Sequence, residues 1–278
     1  MAGTLDERLA QARHTLTAAG IKPDDAALDV DVLARHVLGW SRATLLVSGR
    51  DPVPAGFEER FTALLTRRAA HEPVAYITGV REFWTREFEV DRGVLIPRPE
   101  TELIVEAVIE RDHKRPRILD VGTGSGCLAV TLAAELPDAQ VVATDVSAEA
   151  IAVARRNAQR HGVSARVLFV LTNLLDNLPG GFNIVVSNPP YVARASELPP
   201  DVIQYEPHTA LYGGEDGLEA IRVLIHEARA HLAEGGLFVV EFGFGQAEQV
   251  RELAANAGWK HIEIRKDLQS IERTAVLS

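Results

Sequence analysis

Residues 118–130 read "ILDVGTGSGCLAV", an apolar run that ends in a glycine-rich turn and passes straight into a second apolar run. Such a pattern is a buried strand, a tight turn and the start of a helix. Glycines at 122, 124 and 126 let the backbone turn sharply and let a ligand approach it closely, at the strand end where open α/β sheets bind ligands. A dinucleotide fingerprint requires glycine at position 127, where this chain has Cys127, and a phosphate loop requires a Gly-Lys-Ser/Thr that does not follow. The stretch indicates an open α/β sheet carrying a nucleotide or nucleoside site; by itself it also fits an ordinary strand-to-helix turn.

Outward from this point, strands alternate with helices to the end of the chain. Beside "RILDVG", strands are expected at "AQVVATDV", "ARVLFVLT", "FNIVVSN", "GGLFVVEFG", "KHIEIRKDL" and "RTAVLS", with helices over 129–136, 148–161, 218–232 and 247–257. Near-continuous apolar strands separated by helices imply a mostly parallel sheet covered on both faces, and the last two strands are close enough to form an antiparallel pair. The second strand ends at Asp145, roughly twenty residues past the glycine turn, where an acid accepts hydrogen bonds from both ribose hydroxyls. Asp145 also fits a helix N-terminal charge. Taken together, the glycines and the acid favour an adenosine-containing cofactor. Asp120 either faces the amino group of that cofactor or caps the loop backbone. Cys127 reads as a small buried residue opening the helix rather than as a nucleophile, since no base stands near it in sequence.

Upstream, the texture is helical. Thr4 and Glu7 fit a capping box ahead of Leu5, Leu9, Ala12 and Leu16 at helical spacing. Val30, Leu33, Ala34, Val37 and Leu38 form a second stripe that stops at Gly39, and Phe57, Phe61, Leu64 and Leu65 form a third after the turn-rich "SGRDPVPAG". Residues 1–75 are expected to be a small helical bundle. Residues 76–99, "YITGVREFWTREFEVDRGVLIPRP", mix aromatic and β-branched residues with turn formers and predict a hairpin or extended linker. Residues 100–278 make up the α/β domain.

The chain has 278 residues, 46% of them hydrophobic, which suits two domains better than one. A net charge of -10 and a pI near 5.4 argue against holding nucleic acid by neutralising phosphates. Cys127 is the single cysteine, so no intramolecular disulfide forms, and a reducing, cytoplasmic location is expected. The opening "MAGTLDERLAQARHTL" puts acids and bases where a signal peptide needs an apolar core, and the longest apolar runs fall short of a membrane span. His226 and His231 are spaced wrongly for a shared ligand position on one helical face, so no metal is expected. Arg155, Arg156 and Arg160 read as the wet face of a helix, and "RDHKRPR", residues 111–117, as a solvated loop.

At "VVSNPPYVA", residues 185–193, the fourth strand runs into Asn188 and two prolines, which remove backbone donors and end the ladder. The side-chain oxygen of Asn188 and the carbonyl of Pro189 are two acceptors suited to orienting a planar NH2 group, and Tyr191 is placed to stack on whatever carries it. A plain Pro-Pro turn with a packed tyrosine is the other reading. The neighbouring glycine loop and acid favour the first.

"SNPPY" together with "DVGTGSG" resembles the S-adenosylmethionine-dependent methyltransferases that modify planar nitrogens. With "LIPRPETE" at 95–102, "YEPHTALYGGEDGLEAI" at 205–221, "YITGVREFW" and the helical N-terminal domain, the chain resembles the protein-(glutamine-N5) methyltransferases of peptide chain release factors, the PrmC/HemK family, over nearly its whole length. The resemblance implies a seven-stranded, Rossmann-like methyltransferase domain behind a small helical bundle and a hairpin linker. It implies S-adenosyl-L-methionine as cofactor, leaving as S-adenosyl-L-homocysteine. It further implies, as substrate, the glutamine of the Gly-Gly-Gln motif in class 1 release factors.

Carried over by motif, Gly122, Thr123, Gly124, Ser125 and Gly126 line the cofactor and Asp145 holds its ribose. Asn188, Pro189, Pro190 and Tyr191 form the catalytic clamp on the glutamine amide, with Asn188 also beside the cofactor. Arg98 and Glu100 belong to the substrate side. Where similar proteins carry an acid followed by an apolar or aromatic residue, this chain has Thr172, Asn173 and Leu174, which leaves the Asn173 amide to contact adenine. The helical domain is expected to dock the release factor away from the methylated loop, with no nucleic acid or membrane partner and a monomeric chain. Three rival readings are a ribosomal-protein glutamine methyltransferase, a DNA adenine amino-methyltransferase, which needs a base-flipping pocket and a basic surface, and an inactive cofactor-binding module.

Overall fold

The computed structural model describes residues 3–111 and 114–278. Two compact units emerge, one formed by the residues up to Gly79 with Pro199–Tyr205, the other by Val80–Leu198 with Glu206–Ser278.

The first unit is helical: α1 (Leu5–Ala18), α2 (Pro23–Leu38), α3 (Arg42–Val47), α4 (Phe57–Ala69) and α5 (Val74–Thr78). The Thr4–Glu7 capping box is present, and Leu5, Leu9, Ala12 and Leu16 are buried along one stripe of α1. Gly39 ends α2 in the left-handed region at φ 67° and returns its N–H to the Arg35 carbonyl. Phe57 and Phe61 stack at 4.6 Å between ring centroids in the core. The α3 and α5 helices were not anticipated from sequence; each has fewer than two turns, too short for a periodic stripe to register. The α5 helix runs across Tyr76, where hairpin texture is expected to begin.

The second unit opens with the hairpin β1 (Val80–Phe83) and β2 (Arg86–Glu89). Its two turn residues, Trp84 and Thr85, sit at φ 50° and 58°, the mirror-image turn that suits strand twist but usually takes Asn-Gly. A hydrogen bond from the Trp84 amide to Glu102 Oε1 at 2.8 Å, and packing of the indole on the core, hold it there. Then follow α6 (Glu102–Ile109), β3 (Arg117–Val121), α7 (Cys127–Glu135), β4 (Gln140–Asp145), α8 (Ala148–Arg160), β5 (Val167–Leu171) and β6 (Phe182–Ser187). After α9 (Pro200–Tyr205), which belongs to the helical unit, come α10 (Glu219–His231), β7 (Leu232–Glu241), α11 (Ala247–Asn256), β8 (Ile262–Lys266) and β9 (Glu272–Leu277).

Seven strands form one sheet in the order β5-β4-β3-β6-β7-β9-β8, parallel from β3 to β7, with β9 antiparallel to both β7 and β8. All seven expected strands and the closing antiparallel pair are present. Alternate residues feed two cores, Ile118, Ile184 and Val239 on the face covered by α6 and α7, and Leu119, Val185 and Val240 on the face covered by α10 and α11. The α6 helix went unread from sequence although Glu102 and Glu106, one turn apart, mark a polar edge opposite buried Ile104, Val105, Ala107 and Val108; with eight residues it is barely two turns long.

Two surface readings change. Arg156 pairs with Glu89 and Asp91, and Arg160 with Glu87, so this face of α8 ties the helix to β2 instead of only meeting water. Of the segment 111–117, Asp112 and His113 lie outside the described residues; Arg117 belongs to β3, where its guanidinium sits 5.0 Å from the Phe182 ring centroid. Among the described residues, no helix is long and apolar enough to cross a membrane.

Candidate active site

Sheet register assembles the site. Val121 of β3 lies opposite Ser187 of β6 and Thr144 of β4, so Gly122, Asn188 and Asp145 are the next residues out of three adjacent strands. The strand order reverses between β3 and β6, the crevice where doubly wound sheets bind ligands. A cavity of about 370 Å³ opens there, lined among others by Gly122, Thr123, Gly124, Ser125, Asp145, Asn173, Asn188, Pro190 and Arg98.

The glycine turn is built from backbone constraints. Gly122, Gly124 and Gly126 have φ of 74°, 55° and 81°. A Cβ at Gly126 would sit 2.9 Å from that of Ala154, so the third glycine sets how closely α8 packs, while a Cβ at Gly122 or Gly124 would enter open space. The amides of Gly122 and Thr123 both donate to the Thr144 carbonyl. Asp145 braces the turn, accepting from Gly124 N at 2.8 Å through Oδ2 and from Ser147 N at 2.9 Å through Oδ1. Asp120 is fully buried and accepts from Thr123 Oγ1 and the Ala129 amide, so it caps the loop and does not face the cavity. Burial pushes its carboxyl up to about 7. Burial likewise pushes the Cys127 thiol up to about 12, which removes it as a nucleophile at neutral pH.

The Asn-Pro-Pro-Tyr turn is held from behind. Asn188 Nδ2 donates to Thr101 Oγ1 at 2.9 Å, Thr101 Oγ1 donates to Glu241 Oε2 at 2.7 Å, and Tyr191 Oη donates to Glu241 Oε1 at 3.1 Å. The Tyr191 ring packs with the core beneath α10 and α11; the tyrosine that lines the cavity is Tyr212. Pro189 is buried and Pro190 half-buried. Burial and the adjacent Glu241 push the Tyr191 phenol well above its ordinary value, and burial pushes Glu241 up to about 7. Glu241 was missed from sequence; its signal is a lone acid closing the apolar run "LFVVE" at the same sheet edge.

The segment 211–217 lies directly on this turn. Val192 N donates to the Leu211 carbonyl, Gly213 N to the Val192 carbonyl and Arg194 N to the Gly214 carbonyl, each at 2.9 Å. A Cβ at Gly213 would collide with the Pro190 carbonyl and one at Gly217 with that of Tyr191, which explains the glycines of "LYGGEDGLEAI". Arg98 lines the cavity and pairs with buried Glu206. Glu100 lies outside the lining but close enough to Glu241 for its charge to raise that carboxyl.

Two family descriptions match, the PrmC N-terminal domain over residues 7–79 and the methyltransferase small domain over residues 98–205. The release factor glutamine methyltransferase of Burkholderia pseudomallei is 45% identical over 258 residues, 90% of each chain, and that of Cereibacter sphaeroides 42% over 93% of this chain and 92% of its own. The chain belongs to the release factor glutamine methyltransferase family. It is also 36% identical to the bifunctional methyltransferase of Rickettsia typhi, over 99% of this chain and 57% of that longer one. Among solved structures, a methyltransferase from Pyrococcus furiosus shares the fold with a TM-score of 0.55 at 21% identity, covering 79% of this chain and 97% of that one.

Members of a methyltransferase family draw the methyl group from S-adenosyl-L-methionine, and the residues present fit that donor. Open space stands over two cavity-lining glycines, a carboxylate ends the second core strand, and Val146, Leu174 and the Asn173 amide complete the rim. The donor set of one acid, one amide and exposed loop backbone suits a nucleoside.

Proposed function

We propose that this chain transfers the methyl group of S-adenosyl-L-methionine to the side-chain amide nitrogen of the Gly-Gly-Gln glutamine in class 1 release factors, in the cytoplasm. The observation that carries this reading is that Asn188 emerges beside the glycine turn on the neighbouring strand and lines the same cavity. Gly122, Thr123, Gly124 and Ser125 hold the methionine and sugar portions, with Gly126 closing the turn behind them against α8, Asp145 holds the ribose, and Asn173 the adenine edge. When bound, the cofactor supplies an electrophilic methyl carbon.

An amide nitrogen is a poor nucleophile because its lone pair is delocalised into the carbonyl. Asn188 Oδ1 and the Pro189 carbonyl accept its two hydrogens, orient the lone pair and raise electron density on nitrogen as the new bond forms. The two prolines make this arrangement rigid before substrate arrives. The Tyr191 hydroxyl, committed to Glu241, is excluded as an acid or base at neutral pH. No base is needed before transfer; the acidic product nitrogen releases its proton to solvent afterwards. We assign the helical unit to docking the folded release factor and Arg98 and Glu100 to the substrate side of the cavity.

Labelled S-adenosyl-L-methionine offered with purified release factors, ribosomal proteins and DNA, followed by mapping of the label by mass spectrometry, tests the reading. Label on the Gly-Gly-Gln glutamine is expected, and Asn188→Ala should abolish it while cofactor binding persists. Label on another substrate overturns the assignment.

A further inference from the structure

The hydrogen-bond chain behind Asn188 has a direction. Thr101 and Glu241 are 2% and 1% exposed, and they reach the turn from the residue that precedes α6 and from the last residue of β7. A carboxylate accepts and does not donate, and a hydroxyl carries one hydrogen. Thr101 spends its hydrogen on Glu241 Oε2, while Tyr191 fills Oε1, so the Thr101 oxygen is left only as an acceptor toward Asn188. The donor end of the Asn188 amide is Nδ2, and that end must turn inward. Oδ1 is thereby left as the end available to the cavity that Asn188 lines.

We propose that Glu241 is a positioning residue that acts through Thr101 to set which end of the Asn188 amide meets the substrate, selecting a side chain that donates hydrogens over one that only accepts them. This rests on the reading that Asn188 receives the substrate amide. An amide has two nearly isosteric orientations, so packing alone discriminates poorly between them; an acceptor-only group at the end of the chain makes the choice. A free amide would present NH2 to a substrate NH2 part of the time, a donor facing a donor. It would also accept a carboxylate side chain in the same place.

Glu241→Gln keeps the shape and offers an NH2 to Thr101, which allows the chain to run backwards and Nδ2 to face the cavity. The measurement is the ratio of dissociation constants, on the full chain loaded with S-adenosyl-L-homocysteine, for a release factor whose Gly-Gly-Gln glutamine is replaced by glutamate and for the unaltered factor. E241Q should shrink that ratio about tenfold, equivalent to about 1.4 kcal/mol, and lower kcat on the unaltered factor by about 10²-fold. In a Thr101→Val background E241Q should add nothing further. An unchanged ratio, whatever the activity, or a fully additive effect in that background, overturns the proposal. Should E241Q not fold, Thr101→Ser must keep the wild-type ratio and Thr101→Val lose it; equal ratios in the two overturn it. A wild-type protein that methylates some other glutamine sinks the substrate reading instead, and the same ratio taken on that substrate still decides the role of Glu241.

Discussion

Arg98 and Glu206, 108 positions apart in sequence, form an ion pair whose carboxylate side chain is 1% exposed. The same carboxylate accepts the Ile96 amide at 3.1 Å, so one buried acid fixes both the backbone of "IPRP" and the Arg98 head at the cavity wall. Removing one partner of a buried pair leaves an uncompensated charge, which costs more than the pair contributes. Arg98→Met is expected to lower stability by about 3 kcal/mol, the low end for such changes because Arg98 is itself partly exposed. Glu206→Gln keeps an acceptor for Ile96 and strands no charge in the protein interior, so it should cost less. Urea unfolding of both variants checks the order, and equal costs would show that the arginine does not stabilise Glu206.

Asn157 is fully buried and uses its whole amide: Nδ2 donates to the Ser125 and Glu89 carbonyls at 2.8 and 2.9 Å, and Oδ1 accepts the Glu89 amide at 2.7 Å. It joins β2 to the glycine turn through α8. Asn157→Leu leaves three backbone groups without partners and is expected to cost about 3 kcal/mol, since the turn relaxes only partly. Because Ser125 lines the cavity, affinity for S-adenosyl-L-homocysteine should fall about tenfold in titration calorimetry, a shift of about 1.4 kcal/mol. Lost stability with intact affinity would mean that Asn157 serves the hairpin alone.

Glu241 gives stability a pH dependence of known sign. Its carboxyl is raised from 4.5 to about 7, by burial first and then by Glu100, against the lowering effects of Thr101, Tyr191 and Arg273. Between those values the folded state binds more protons than the unfolded one, so the stabilisation is complete below 4.5 and is lost as pH rises to about 7. Glu241→Gln lacks this loss. Its stability relative to wild type should climb across that window by on the order of 3 kcal/mol. Asp120, also raised to about 7, contributes equally to both proteins and cancels in the difference. Protonated Glu241 also becomes a donor that competes with the Thr101 hydroxyl. Wild-type kcat should therefore rise with pH through about 7 while that of E241Q stays flat; parallel profiles would count against the coupling.

What the sequence reveals and what it hides follow from the range of each signal. The seven strands and the turns at Gly122 and Asn188 are local, each written in ten or so adjacent residues by apolar runs, glycines and prolines. The partners of those turns are not local. Asn188 meets Thr101 across 87 positions of the chain and Thr101 meets Glu241 across 140, and a threonine opening a helix or an acid closing a strand carries no mark of that meeting. The glycines of 213–217 are legible as turn formers, but their reason, the Pro190 and Tyr191 carbonyls, appears only when the chain is folded. The short helix Pro200–Tyr205 packs with the helical unit although its sequence lies within the catalytic one, with Tyr205 Oη donating to the Ala70 carbonyl at 2.8 Å. No composition shift announces it.

On the helical unit, Leu46 and Val47 close α3 at 71% and 85% exposure, side by side in sequence. Two adjacent large apolar residues left in water add little to the unit's core, and the docking role proposed for the helical unit would give them a use. If they contact the folded release factor, their loss weakens encounter with the whole factor and leaves the chemistry at Asn188 untouched. The double variant Leu46→Asp, Val47→Asp is expected to raise KM for the intact release factor about tenfold, a loss of about 1.4 kcal/mol of binding, with kcat and Tm close to wild type. On the docking role proposed for the helical unit, a short Gly-Gly-Gln peptide needs only the cavity at Asn188, so its kcat/KM should be unchanged. A defect shared equally by peptide and whole factor would place the damage in the catalytic unit, and an intact KM for the whole factor would show that Leu46 and Val47 do not contact it.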